Sequence, residues 1–168
     1  MSVEPKGGSR LGKYLTFKLQ AESYGIDVLK VREIIRLVSI TAMPQMPPHI
    51  RGVINLRGKI IPVMDLRLRF QFDKAESTSQ TCIIVMQVQL PDGKSSPMGL
   101  VVDGVEEVIN LSDNDIEETP DFGGQICTDY IIGIAKVKGE VKTLLDIDGV
   151  VGTETLKSLK SIGAAPAS

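Results

Sequence analysis

Few residues in this 168-residue chain are of kinds that make or break bonds. There is one histidine, His49, so any Ser–His or Cys–His scheme must run through it. It follows the stiff run Met43-Pro-Gln-Met-Pro-Pro, with no Ser or Cys beside it, and reads as a surface-loop histidine. Cys82 and Cys127 form no Cys-x-x-Cys pair, and no His-Glu-x-x-His occurs, so no metal site is expected. The two cysteines read as small buried hydrophobes in a reducing compartment. Gly7-Gly-Ser-Arg-Leu-Gly-Lys13 comes near a phosphate-binding loop, but Tyr14 stands where a hydroxyl must reach magnesium, and no strand precedes it. Asp113-Asn-Asp-Ile-Glu117 imitates the start of a calcium loop, yet Glu118 falls where Gly is required and Gly124 where Glu is required. Asp65 and Asp146 are conceivable as paired carboxylates. Their matching places at hairpin ends favour a structural role, accepting from turn N–H groups. With no nucleophile, base and orienting group to assemble, the chain is expected to be no enzyme and to need no cofactor.

The elements that must position any binding site are short and mostly strands. The composition, 42% apolar and 24% charged with 4% aromatics, is that of a globular chain. No apolar run approaches the ~20 residues of a membrane span, and the start lacks the apolar stretch of a secretory signal. A cytoplasmic protein with no direct membrane insertion is expected. Residues 1–13 read as a flexible leader and 163–168 as a flexible tail. In Tyr14-Leu-Thr-Phe-Lys-Leu-Gln, period two turns Leu15, Phe17 and Leu19 one way and Thr16 and Lys18 the other, a half-buried strand. Thr81 to Val88 and Gly99 to Val102 read as further strands, with a turn at Pro91-Asp-Gly-Lys. A short helical turn is expected over Val28 to Ile34. A C-terminal helix is expected over 152–162, with Leu156, Leu159 and Ile162 on one stripe and Thr153 as its cap. Many short strands at close spacing predict an all-β barrel or sandwich.

The chain also repeats itself. Gly52-Val-Ile-Asn-Leu-Arg-Gly-Lys-Ile-Ile-Pro-Val-Met-Asp-Leu66 aligns with Gly133-Ile-Ala-Lys-Val-Lys-Gly-Glu-Val-Lys-Thr-Leu-Leu-Asp-Ile147. Gly52/Gly133, Gly58/Gly139 and Asp65/Asp146 are identical pairs, and Arg57 matches Lys138. Ahead of these, Tyr24 to Ile35 aligns with Met98 to Ile109. The shared order predicts one similar β unit per half, packed together with a groove between them. Each unit carries a tight hairpin whose glycine supplies positive φ. Pro62, which cannot donate to a ladder, predicts a sheet edge or a bulge. The net charge of −2 hides a split: all seven arginines lie in the first half and most acidic residues in the second. Interleaving of the halves in space would mix these charges; separation would give two surfaces of opposite sign. In Val28-Leu-Lys-Val-Arg-Glu-Ile-Ile-Arg36, apolar and charged residues alternate too densely for a small barrel to hide every apolar group. Some should face outward, ringed by Arg32, Glu33 and Arg36, as in a protein-binding surface.

These segments resemble the CheW-like family of bacterial chemotaxis coupling proteins. The specific part is Asn55-Leu-Arg-Gly-x-x-x-Pro-Val-x-Asp-Leu66, supported by Tyr24 to Ile34 and Gly99-Leu-Val-Val-Asp-Gly-Val105, over about Tyr14 to Val151. The resemblance implies a mainly β fold of two intertwined five-stranded SH3-like β-barrels with short helices, filling residues 14–151 as a CheW-like domain. It implies an adaptor without catalysis. Its partners would be the regulatory domain of the histidine kinase CheA and the cytoplasmic tip of methyl-accepting chemoreceptors, recruiting it to receptor arrays at the inner face of the membrane. Matched residue by residue, the receptor-facing positions are Val31, Glu33, Gly52, Arg57 and Gly58. Arg57 either holds the groove open or bonds the receptor itself. The kinase-facing positions are Leu15, Val28 and again Val31. Leu90 to Met98 is longer than the family loop, which leaves the kinase side less defined.

Two other readings compare poorly. An oligonucleotide-binding barrel needs a basic face with aromatic platforms, and four Phe, three Tyr, no Trp and an acidic second half do not supply one. An adaptor of the same family in another pathway, such as surface motility or second-messenger control, has the same composition. Because only the first hairpin carries the full motif, Arg57→Ala is expected to harm kinase activation by receptor more than Lys138→Ala. Equal losses in a reconstituted kinase assay would remove the asymmetry.

Overall fold

The computed structural model of the chain describes residues 12–70, 77–90, 92–117 and 130–152. The expected leader before Gly12, the helix after Gly152 and Cys127 lie outside these residues. Strand β1 (Gly12–Leu19) begins inside the stretch expected to be leader, followed by β2 (Glu22–Asp27), β3 (Val31–Arg36), β4 (Ile50–Leu56) and β5 (Lys59–Asp65). After helix α1 (Leu66–Arg69) come β6 (Cys82–Gln89), β7 (Ser95–Val102), β8 (Gly104–Leu111), β9 (Ile116–Glu117), β10 (Ile131–Val137), β11 (Glu140–Leu145) and α2 (Ile147–Val151). One sheet runs β8-β1-β2-β11-β10-β9 and the other β3-β6-β7-β5-β4. The fold is mainly β, as two barrel-like sheets with few, short helices.

The repeat explains the order. Strands β1 and β2 pair as a hairpin in the first sheet, and β6 and β7 as the matching hairpin in the second. Each half of the chain then crosses over: β3 to β5 join the second sheet, and β8 to β11 join the first. Neither sheet is made by one half, so the barrels are intertwined and the charges of the halves mix. In each barrel the closing hairpin pairs in parallel with the other half's hairpin, β5 with β7 and β11 with β2. The barrels then curl shut. Beyond β3, Thr41 exchanges two backbone hydrogen bonds of 2.9 Å with Val53 of β4. Beyond β8, a Ser112–Asp115 turn leads into β9, which pairs with β10.

Alternation along the strands fills three cores. Leu15, Phe17 and Leu19 of β1, Ile84, Met86 and Val88 of β6, and Met98, Leu100 and Val102 of β7 meet between the sheets, joined by Leu66 of α1 and Val150 and Val151 of α2. The opposite faces line the barrels: Tyr14, Ile109 and Leu144 in the first, Ile61, Ile83 and Val85 in the second. Strand β1 is therefore not half-buried. Thr16 is also fully buried, and its hydroxyl exchanges hydrogen bonds with the Glu107 backbone. Period two is correct there, but the second face is covered at Tyr14 and Thr16 and open at Lys18.

Paired charges fasten the crossovers. Arg67, 1% exposed, donates to both oxygens of fully buried Asp65 at 2.9 and 2.8 Å and to Asp103, at the β7–β8 crossover, at 3.0 Å. At the repeat-equivalent place Asp148 of α2 accepts from Lys30, at the β2–β3 crossover, at 3.2 Å. Arg67 and Asp148 are repeat equivalents of opposite charge, and each bridges to the crossover of the other half, although their partners Asp103 and Lys30 fall one place apart in the alignment. Asp65 also accepts from the Arg67 N–H, the structural role read from sequence. Its counterpart Asp146 starts α2, and burial, then the nearby Asp148 carboxylate, raise its pKa above the ordinary value.

Two local expectations need correction. The helical turn is confined to Val28–Lys30, because β-branched Val31, Ile34 and Ile35 pair with β6 as strand β3. Pro62 is at no bulge and β5 is no edge strand, but the strand is locally unpaired on its β7 side at this residue, as the missing donor requires. Strand β5 lies between β7 and β4, and its ladder with β7 begins one residue later, at Val63, so no donor is missed. The bulge falls instead between Ile50 and Gly52, mirrored between Ile131 and Gly133. Gly52 has φ +146°, and a Cβ there would lie 1.9 Å from the Thr41 carbonyl oxygen, so only glycine permits this closure. Gly52→Ala is expected to lose about 2–4 kcal/mol in urea unfolding, against about 1–2 for Gly58→Ala in open space at φ +88°. Equal losses would mean that the Thr41 contact does not constrain the barrel.

Candidate functional site

The hairpin β4–β5 turns at Arg57-Gly58, both with positive φ, 51° and 88°, the two-residue turn suited to strand twist. Lys138-Gly139 repeats it at 51° and 81°. The sequence anticipated the glycine but not that Arg57 and Lys138 would share its left-handed conformation. Asn55 fixes the turn by accepting from the Gly58 N–H at 2.9 Å. This conformation projects Arg57 toward β3, where its guanidinium grips both oxygens of the Glu33 carboxylate, one at 3.2 Å. Two residues predicted separately thus form one bidentate pair. Side-chain hydrogen bonding to Arg57 holds the Glu33 carboxyl below its usual pKa, with Coulombic attraction adding to it.

The pair spans the rim of an open cavity of about 650 Å³. Half-buried Leu56 and Pro97 contribute apolar surface to it above the buried Ile61 and Val85, and Arg32, Lys59 and Gln87 join Glu33 and Arg57 among its polar lining residues. Arg32 is steadied by a 2.9 Å hydrogen bond from its Nε to Gln87. Every lining residue belongs to β3–β7, so the cavity is the mouth of the second barrel. The space between the barrels, expected to be a groove, is occupied by the large shared core.

The other expected positions separate by burial. Gly58 is part of the turn beside the mouth, whereas Gly52 lies against Thr41 at the barrel seam. Val28 is half-buried, and Val31 is half-buried with its side chain against the shared core. Leu15 is corrected: at 3% exposure it is core and offers no surface to a kinase, because the β1 face it lies on is covered by the other sheet. The outward apolar groups anticipated around Arg32 and Arg36 are Leu29 and Ile34, 88% and 44% exposed. Sequence reasoning missed Ile60, Val108 and Val141, each more than half exposed. The repeat carried a signal for them, since Ile34 matches Val108 and Ile60 matches Val141. His49 is half-buried, its pKa lowered by burial and then by Arg69, and its carbonyl accepts from the Asp65 N–H. Among the described residues no cluster of three or more His, Cys, Asp or Glu is placed to hold a metal, and no helix is long and apolar enough to cross a membrane.

Comparison with known proteins adds to this geometry. The model of the CheW-like domain matches residues 13–154. The chain is 32% identical over 162 residues to the chemotaxis protein CheW of Klebsiella aerogenes, covering 96% of this chain and 95% of the relative. It is 34% identical over 148 residues to the chemotaxis protein CheW of Rhizobium meliloti, covering 88% and 90%. Among solved structures, the scaffolding protein TtCheW from Thermoanaerobacter tengcongensis matches with a TM-score of 0.74 at 36% identity, covering 86% of this chain and 95% of that one.

A lowered carboxyl pKa means that the Arg57–Glu33 pair is complete above the usual glutamate range and is lost as pH falls through the lowered value. Carboxyl-detected NMR is expected to find Glu33 titrating below ordinary glutamates, and Arg57→Ala to return it to their range. An unchanged Glu33 titration in that variant would deny the pair in solution.

Proposed function

The chain belongs to the CheW-like domain family, and from that premise we propose that it is a chemotaxis adaptor holding a chemoreceptor tip and the histidine kinase CheA at once, with no catalysis of its own. The observation that carries this reading is the open, charge-rimmed cavity with apolar lining in one barrel, together with the exposed Leu29 and Ile34 outside that lining. An apolar floor inside a polar rim suits a protein segment better than a small metabolite. The mouth carrying Glu33, Arg57 and Gly58 is assigned to the receptor. The kinase is assigned to a separate face that includes Val28 and the exposed apolar residues near it, since Leu15 is not accessible.

Signal transfer needs no moving chemistry. If the two states of a receptor bind the adaptor–kinase unit with different free energies, a difference of about 1–3 kcal/mol changes kinase activity ~5–150-fold. Each contact can be weak, because many adaptors act together in an array at the inner face of the membrane. Within this scheme the Arg57–Glu33 pair shapes the mouth, and a charge exchange separates shaping from direct contact.

Glu33→Lys is expected to abolish pull-down by a purified receptor-tip fragment while leaving the circular dichroism spectrum and kinase binding intact. The exchanged double variant Glu33→Arg with Arg57→Glu is expected to regain binding, because the pair is restored with reversed polarity. Retained receptor binding by Glu33→Lys, or failure of receptor fragment and kinase to co-purify on the wild-type chain, would overturn the assignment.

A further inference from the structure

The repeat lets the two barrel mouths be compared position by position, and they differ most in what fills them. Ile61 of the open mouth corresponds to Lys142 of the other barrel. Each is paired across its hairpin with a residue of its barrel's interior, Ile54 and Ala135. Lys142 is 3% exposed, and its ammonium lies 3.5 Å from both Glu106 and Glu140. Glu106 also accepts from the Ser23 hydroxyl at 2.7 Å. The first barrel is therefore filled from within by a long aliphatic stem whose charged end is held by two carboxylates. The second barrel carries the same frame with its signs exchanged: Arg32 stands for Glu106 and Lys59 for Glu140. Its floor is apolar where the other is polar, since Val85 and Pro97 take the places of Thr16 and Ser23 by strand pairing. Ile61 stops short of that rim, and the cavity results.

We propose that the open mouth receives a glutamate side chain of the receptor tip. Its stem lies against half-buried Leu56 and Pro97, above the buried Ile61 and Val85, and its carboxylate is held by Arg32 and Lys59, the charge-reversed counterpart of what Lys142 does internally. Arg57 is already engaged by Glu33, which leaves Arg32 and Lys59 for the incoming carboxylate. The proposal rests on the assignment of this mouth to the receptor, but its chemistry is testable without one.

The test without a partner supplies the missing side chain from within. Ile61→Glu is expected to melt at a higher temperature than Ile61→Lys, and that advantage is expected to vanish when Arg32→Glu and Lys59→Glu are added. No advantage for Ile61→Glu would overturn the proposal whatever the receptor does. The second arm uses the exposed residues alone. Arg32→Glu with Lys59→Glu, at unchanged melting temperature, is expected to weaken binding of a purified receptor-tip fragment about tenfold or more. One glutamate-to-lysine change in the fragment is expected to restore it. Unaltered affinity of the reversed variant, or no restoring position, would also overturn the proposal. A wild-type chain that ignores the fragment while the Ile61 variants behave as stated would refute the receptor assignment and the named source of the glutamate, leaving only the carboxylate chemistry of the mouth.

Discussion

The fold depends on the burial of both faces of two hairpins. Strands β1–β2 and β6–β7 each turn one face into their own barrel and the other against the opposite sheet. Among the described residues the core between the barrels contains seventeen of the buried apolar side chains, and each barrel interior only six. A barrel of this size buries little by itself and would be marginal alone. Exchange of strands between the halves removes the choice, because each barrel needs a hairpin from one half and the closing strands from the other. The Arg67–Asp103 and Asp148–Lys30 bridges lie at the two crossovers, where separation of the barrels would begin. The buried Arg67–Asp65 pair is no large source of stability, but loss of one member would strand a charge in the core and cost about 3–5 kcal/mol.

From that constraint follows where a partner can bind. With the inter-barrel space filled, the places left are the barrel mouths and the outer strand faces. Duplication makes the mouths alike in backbone, down to the left-handed turns at Arg57-Gly58 and Lys138-Gly139. Side chains then make them unlike. Lys142 fills one, while Ile61 leaves the other open. On the proposed reading, an adaptor holding two different proteins needs such asymmetry. Substitution at a few inward positions achieves it without disturbing the shared core.

Much of this was legible in the sequence. Period two located the strands, and the repeat identified the two hairpins. The Asn55-Leu-Arg-Gly motif marked the hairpin that carries the open mouth. The failures have different causes. Leu15 was given an outward role by the family resemblance, against its place on the Phe17–Leu19 face, and Thr16 was expected on a solvent face because alternation along one strand does not say how many layers cover it. A sheet covered on one side and a sheet covered on both have the same period. The pairing of Glu33 with Arg57 was equally hidden, since it spans two hairpins and depends on the positive φ of Arg57, a residue type that seldom adopts it.

The sequence by itself determined the β class, the duplication, the tight turns and the family, because these rest on local spacing and on residue types that tolerate few conformations. Only the tertiary structure decided which half contributes to which barrel, that the groove between them is core, and that one mouth is open and the other plugged. Those outcomes depend on which non-local strands lie side by side and on whether a side chain meets its counter-charge, and neither is encoded in the order of neighbours along the chain.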